Sequence, residues 1–248
     1  MSEDHNHGRL WNIKQDWQRF WKDLISYYKL PSSWDRRTWQ YVVAGIVVFP
    51  GLFLVDPYIR AGFAQIHTQF FDTVFSFAHW YGKIYLTLYS FLTLYLIGFA
   101  VNHERLRNAG WKIFEAFAIS GITITVIKSI LGRWRPYTGH GSLAFVGFTF
   151  GPNDHLSLPS GDVGIAFAYS MVIASFSANK IWKALWYFLA VLTCFGRIYH
   201  DQHWFSDVLL ASIISISVGI YLNKTSAGQN ISNRAIEISK TVEEYHVG

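Results

Sequence analysis

Lys128-Ser-Ile-Leu-Gly-Arg-Trp-Arg135-Pro136, Pro159-Ser160-Gly161-Asp162 and Gly196-Arg197-Ile-Tyr-His-Asp-Gln-His203-Trp-Phe-Ser-Asp207 are the segments on which the reading of this chain turns. In pattern form they are K-x6-RP, PSG followed by Asp, and GR-x5-H-x3-D. They supply three cations, a hydroxyl beside backbone amides, and a His with a carboxylate four residues on. That is equipment for gripping a phosphoryl group and attacking it.

Each residue type has a reason to be there. Lys128, Arg135 and Arg197 can neutralise non-bridging phosphate oxygens, Arg bidentately and Lys as a compact charge. Ser160 and the amides near Gly161 form an expected anion-binding turn opening a helix. Such cations beside a bilayer are costly without an anionic partner, which argues against a purely structural role. His203 and Asp207 share one face of a helix, so the carboxylate can keep one imidazole nitrogen protonated and leave the other to attack phosphorus. Arg133 falls outside the pattern and is expected to matter much less. A metal centre built from His200, Asp201, His203 and Asp207, joined by His140 or His155, lacks a zinc-type HExxH or Cys pair and would sit among cations. The expectation is no metal and no other cofactor, with His200 a wall residue.

Composition sets these motifs in a bilayer: 51% of residues are hydrophobic, 18% aromatic and only 15% charged. Runs long enough to approach the roughly 17–25 residues that cross about 30 Å of hydrocarbon fall near Trp39–Val55, Ile84–Val101, Ile113–Leu131, Val163–Ala178, Ile181–Gly196 and Asp207–Leu222. The expected fold class is therefore all-α: a polytopic bundle of six transmembrane helices over residues 39–222, flanked by tails 1–38 and 223–248. With six spans, 15 of the 21 Lys and Arg residues share the side of both tails, which makes that side cytoplasmic and opens the motifs on the other face. The polar N-terminus through Arg37 has no cleavable-signal pattern, so the first span is expected to direct its own insertion.

Outside the spans, apolar residues from Leu10 to Tyr28 recur at helical spacing among Lys14, Arg19 and Lys22. This predicts an amphipathic helix in the cytoplasmic headgroup region, with packing on the bundle as the alternative. Residues 56–83 are too aromatic for a solvated loop and predict a short interfacial helix, able to border a lipid access gate. The long Gly132–Asp162 connection, with His140, Asp154 and His155, is the expected substrate-selecting element. Cys194, the single cysteine, is expected to be core packing.

In order and spacing the three motifs resemble those of the type 2 phosphatidic acid phosphatase superfamily of integral-membrane lipid phosphatases. The resemblance implies that His203 becomes a transient phosphohistidine, with Asp207 orienting it. It also implies a general acid at the end of the second motif, where the family normally has His and this chain has Asp162. An Asp of ordinary pKa about 3.9 needs a shift of roughly three units, about 4 kcal/mol, to donate a proton near neutrality. Asp162 is thus a tuned acid, the mark of an engineered loss, or the sign of a substrate that barely needs an acid. A phosphate leaving group, with a pKa near about 6, asks far less than an alkoxide comparable to water at about 15.7.

The implied activity is removal of a terminal phosphate from an anionic phospholipid or isoprenoid lipid: polyprenyl diphosphate, lipid A, phosphatidic acid or phosphatidylglycerol phosphate. Its setting is a bacterial inner membrane, with the site facing the periplasm or exterior and no nucleic-acid partner. Alternatives on the same residues are a lipid phosphotransferase and an acid-deficient or non-catalytic lipid-phosphate binder.

Overall fold

A computed structural model describes residues 2–225, with side chains from Ile13 onward. Its helices are α1 (Ser2–Lys29), α2 (Arg36–Val48, prolonged by a 3-10 turn to Leu54), α3 (Asp56–Ala64), α4 (Gln69–Tyr81), α5 (Ile84–Ala100), α6 (Glu104–Leu131), α7 (Gly161–Ser175) and α8 (Lys180–Tyr199). A ninth, α9, runs Phe205–Thr225. Among the described residues the fold is helical, with one isolated β-bridge between Arg133 and Phe145. The expected tail lies outside the described residues from 226 onward.

Helix boundaries follow local chemistry. Asp35 caps α2 by accepting from the Thr38 amide at 2.9 Å, and Asn179 caps α8 by accepting from the Ile181 and Trp182 amides at 2.8 and 3.2 Å. Such caps contribute about 1 kcal/mol each. α6 stops at Gly132, whose φ of +60° is the left-handed conformation that glycine adopts without a Cβ penalty.

Among the described residues four segments are long and apolar enough to cross a membrane: Arg36–Leu54, Glu104–Leu131, Lys180–Tyr199 and Phe205–Thr225. α4 and α5 meet that standard only together, as a pair bent by 46°. α7, at 15 residues, is too short by itself. Each of the six expected runs overlaps a helix, but length and apolarity qualify four segments, or five with the bent pair. The chain is an integral membrane protein. α2 has no buried residue and presents Tyr41, Ile46, Val47 and Val48 outward, as a lipid-facing helix does.

α7 is the central helix. Val163, Ala166, Ala168, Val172 and Ala174 are fully buried, and with Ile113 and Ile119 of α6 and Ala211 and Val218 of α9 they form the middle of the core. Small residues let the backbones approach without lipid between them. A helix shielded on all sides in this way need not match the bilayer thickness by itself.

Residues 56–83 form two helices where one short interfacial helix was expected. α4 continues across the bend into α5 and packs along α8, because Phe75, Ala78 and Tyr81 are its buried face. α1 is helical but polar side inward: Asp16, Phe20 and Asp23 are buried, while Ile13, Trp17, Trp21, Ile25 and Tyr28 are exposed. Its Arg19 donates to Glu115 Oε1 at 3.3 Å, Asp16 accepts from Tyr95 Oη at 3.0 Å, and Tyr27 Oη meets Ser217 Oγ at 2.7 Å. The helix is docked on the bundle, with an apolar stripe left facing out.

Candidate active site

The three motifs converge where the last turn of α6, the start of α7 and the α8–α9 corner meet. They line a cavity of about 650 Å³ that includes Lys128, Arg135, Gly161, Asp162, Arg197 and His203.

His203 lies between α8 and α9 and is 2% exposed. Its Nδ1 faces Asp207 Oδ2 at 3.5 Å and Ser157 Oγ at 3.5 Å, which leaves Nε2 as the nitrogen not engaged by the orienting groups. Burial holds this imidazole well below its ordinary titration range, and the neighbouring cations Arg197, Arg135 and Lys128 push the same way. It is therefore neutral at neutral pH, as a nitrogen nucleophile must be. Asp207 is fully buried, and its Oδ2 also accepts from Ser157 Oγ and, at 2.8 Å, from the Trp204 amide. The carboxylate beside the imidazole is thus fixed from several directions.

The cations are held by acceptors that a phosphate could replace. Lys128 Nζ donates to the Leu156 carbonyl at 2.6 Å. Arg135 donates to the Asn153 carbonyl at 2.9 Å, to Asn153 Oδ1 at 2.8 Å and to Gln202 Oε1 at 3.2 Å. Arg197 Nη1 lies 3.1 Å from Asp162 Oδ2, and its buried Nε has no hydrogen-bond partner. Ser160 is fully buried, and its Oγ also lacks a partner although it stands at the N-terminus of α7. Unpaired buried donors of this kind call for a ligand, and a helix N-terminus favours an anionic one.

Arg133 is where the structure corrects the sequence reading. It is fully buried and does not line the cavity. Its guanidinium donates to Asp207 Oδ1 at 2.7 Å, Asp56 Oδ2 at 2.6 Å, Ser206 Oγ at 2.6 Å and the Ser142 carbonyl at 2.6 Å. Asp56 in turn accepts from the Ser206 amide at 2.9 Å, tying α3 to the first turn of α9. Arg133 and Asp56 thus hold the carboxylate that faces His203 Nδ1. A charged residue in an otherwise apolar stretch was the available signal for Asp56.

Ser76, His79 and Lys83 are further wall residues that the motifs do not contain, brought in by α4 and its corner with α5. His79 Nδ1 and Lys83 Nζ lie 3.6 and 3.5 Å from Asp162 Oδ2. Two cations, Arg197 and Lys83, thus face the Asp162 carboxylate, with the His79 imidazole beside it. His200 does line the wall, and the long connection contributes Asn153. His140 and His155 instead pack on the Trp134 ring, at centroid distances of 3.8 and 3.9 Å. Among the described residues no three His, Cys, Asp or Glu side chains are grouped to hold a metal ion. Cys194 is partly buried against Ser212.

The family model of the PAP2 superfamily matches residues 109–230, which contain all three motifs. Over that stretch, just under half of the chain, the sequence is similar to the PAP2 superfamily. A PA-phosphatase-related family protein of Dictyostelium discoideum is 25% identical over 136 residues, 49% of this chain and 49% of that protein. The chain thus spans about half the length of the curated relative it matches. Two crystal structures share the PAP2 fold. Aquifex aeolicus LpxE superposes with a TM-score of 0.52 at 21% identity, covering 68% of this chain and 95% of that one. The first transmembrane PAP2-type phosphatidylglycerolphosphate phosphatase from Bacillus subtilis gives 0.52 at 18% identity, covering 77% and 96%.

Proposed function

We propose that this protein is a PAP2-type, membrane-embedded lipid phosphate phosphatase acting through a phosphohistidine. The observation that carries the reading is the junction of two cavities. The cationic pocket shares Lys128 and Gly161 with an apolar groove of about 510 Å³ between α6 and α7, lined by Phe117, Ile122, Val126 and Ile165. A phosphate held by the cations would leave an attached apolar chain in the groove, an arrangement that suits a lipid monoester or diphosphate.

In this mechanism Lys128, Arg135 and Arg197 take the non-bridging oxygens, helped by Ser160 Oγ and the Gly161 amide. Nε2 of His203 attacks phosphorus in line and the P–O bond to the lipid breaks, its electron pair leaving with the lipid oxygen, while Asp207 steadies the Nδ1 proton. Water then attacks the phosphohistidine and regenerates the imidazole. The cations carry out the charge neutralisation that a divalent metal performs elsewhere, so the reaction proceeds without one. Six spans, an active site on the non-cytoplasmic face and an α1 stripe lying in the headgroup region complete the arrangement, in keeping with the positive-charge bias and the outward aromatics.

The test is phosphate release by the purified protein in detergent, with and without chelator. The panel is phosphatidic acid, phosphatidylglycerol phosphate, a polyprenyl diphosphate and lipid A. Chelator-insensitive release from at least one of these is expected. Binding without turnover across the panel would refute the reading.

A further inference from the structure

An alkoxide leaving group needs a proton, and the second motif ends in Asp162, a carboxylate already matched by basic partners. The described structure brings an imidazole to that place from another part of the chain. His79 projects from the last turn of α4 into the same cavity as His203. Arg197 Nη1 donates to its Nδ1 at 2.6 Å, and Asp162 Oδ2 lies 3.6 Å from the same nitrogen. The groups around it are Asp162 from α7, Arg197 from α8, His200 just after α8, and Lys83 from the α4–α5 corner.

We propose that His79, positioned by Asp162, is the proton donor of this site. The assignment rests on the phosphatase reading above. A bound phosphate competes for Arg197 and draws it from His79 Nδ1, so that the imidazolium pairs with Asp162 through Nδ1–H and presents Nε2–H to the leaving oxygen. As the His203 Nε2–P bond forms, the P–O bond to the lipid breaks. Its electron pair remains on the oxygen, which takes the Nε2 proton of His79. Neutral His79 then accepts a proton from the water that attacks phosphohistidine, and inorganic phosphate leaves. The imidazolium is restored, and the net reaction is lipid phosphate plus water giving lipid alcohol plus phosphate.

Lys83 is the other basic side chain beside Asp162. It approaches only Asp162, whereas His79 touches the arginine of the third motif.

Leaving-group dependence separates a proton donor from a residue that merely shapes the pocket. Phosphate release is measured for the wild type, His79→Ala, His79→Gln, Asp162→Asn, Lys83→Met and His203→Ala. The substrates are phosphatidic acid and the matching diacylglycerol diphosphate, which carry identical chains. Both His79 variants are expected to lose roughly 10²–10⁴ in kcat on the monoester and less than about tenfold on the diphosphate, whose leaving group has a pKa near about 6. Asp162→Asn should show the same selectivity more weakly, and Lys83→Met should show none. His203→Ala should be inactive on both. Monoester turnover at wild-type level in both His79 variants, an equal loss on the two substrates, or a selective loss in Lys83→Met instead would overturn the assignment. A wild type inactive on both substrates and on the wider panel would refute the phosphatase reading and this assignment with it.

Discussion

Arg133 shows how a side chain outside any motif can govern one inside it. Removing it leaves Asp56 and Asp207 buried without their cation, and breaking a buried pair in this way costs about 3–5 kcal/mol. Arg133→Ala is therefore expected to lower thermal stability by that order and to abolish phosphate release. Arg133→Lys should rescue little, because one ammonium cannot reach the four acceptors that the guanidinium spans. Thermal unfolding of the detergent-solubilised variants, compared with Arg105→Ala on the exposed surface, checks both statements. His203 supports a second prediction. Its folded pKa is depressed by burial and by Arg197, Arg135 and Lys128, so the imidazole should stay neutral as pH falls below about 6.5. Its contribution to stability is then full above about 6.5 and is lost as pH drops below that value, because the unfolded chain takes up the proton first. An NMR titration of ring-labelled histidine should show this resonance unprotonated well below pH 6.5, and moved back toward 6.5 in Lys128→Met. Asp162 supplies a third. Returning an imidazole to the second motif, D162H in an H79A background, should recover a large part of the roughly 10²–10⁴ that an acid contributes, measured as phosphate release from a lipid monoester.

At the scale of elements, the approach of α4 and α5 to α7 delivers His79 and Lys83 to the site. Gly82 marks that approach. A Cβ there would lie 2.9 Å from the Asp162 carbonyl oxygen and 2.9 Å from Thr193 Cγ2. Backbone can yield only by moving the first turn of α7, which carries Gly161 and Asp162. Gly82→Ala is expected to lower stability by about 1–3 kcal/mol, the usual range for overpacking. It should also reduce activity more than an equally destabilising change on the far end of α7. Measuring unfolding and phosphate release for Gly82→Ala beside Ser175→Gly tests the coupling. Of the two readings of the α1 stretch, the structure has the helix packed on the bundle, with Asp16, Phe20 and Asp23 on its buried side. Helical periodicity identifies two faces, but which face meets protein depends on whether the surroundings are water or lipid.

For the whole molecule, the distribution of charge sets the orientation. With 15 of 21 basic residues on the side of both tails, the cavity is expected to open away from the cytoplasm. In a Cys194→Ser background, an impermeant thiol reagent applied from outside intact cells should label Cys introduced at Leu143, which is 61% exposed in the long connection. It should not label Cys introduced at exposed Glu104, at the opposite end of α6. The reverse pattern would put the cavity in the cytoplasm and change the pool of lipids available to it.

The grouping of the motif residues around one cavity was partly legible because some of its geometry is local. Ser160 and Gly161 open one helix as spacing predicts, whereas His203 stands two residues before the helix that carries Asp207, so the pair meets across a helix start and not on one helical face. Apolar runs likewise marked helices, since every backbone group within hydrocarbon must be satisfied inside its own helix, and four of the described segments, or five with the bent pair, are long and apolar enough to cross. What spacing could not show was which distant side chains complete the site. Asp56 reaches Arg133 across 77 positions, and Arg197 reaches His79 across 118. Those meetings are decided by how α3, α4, α8 and α9 pack, because a partner so far along the chain is set by the contact between helices and not by the residues on either side of it.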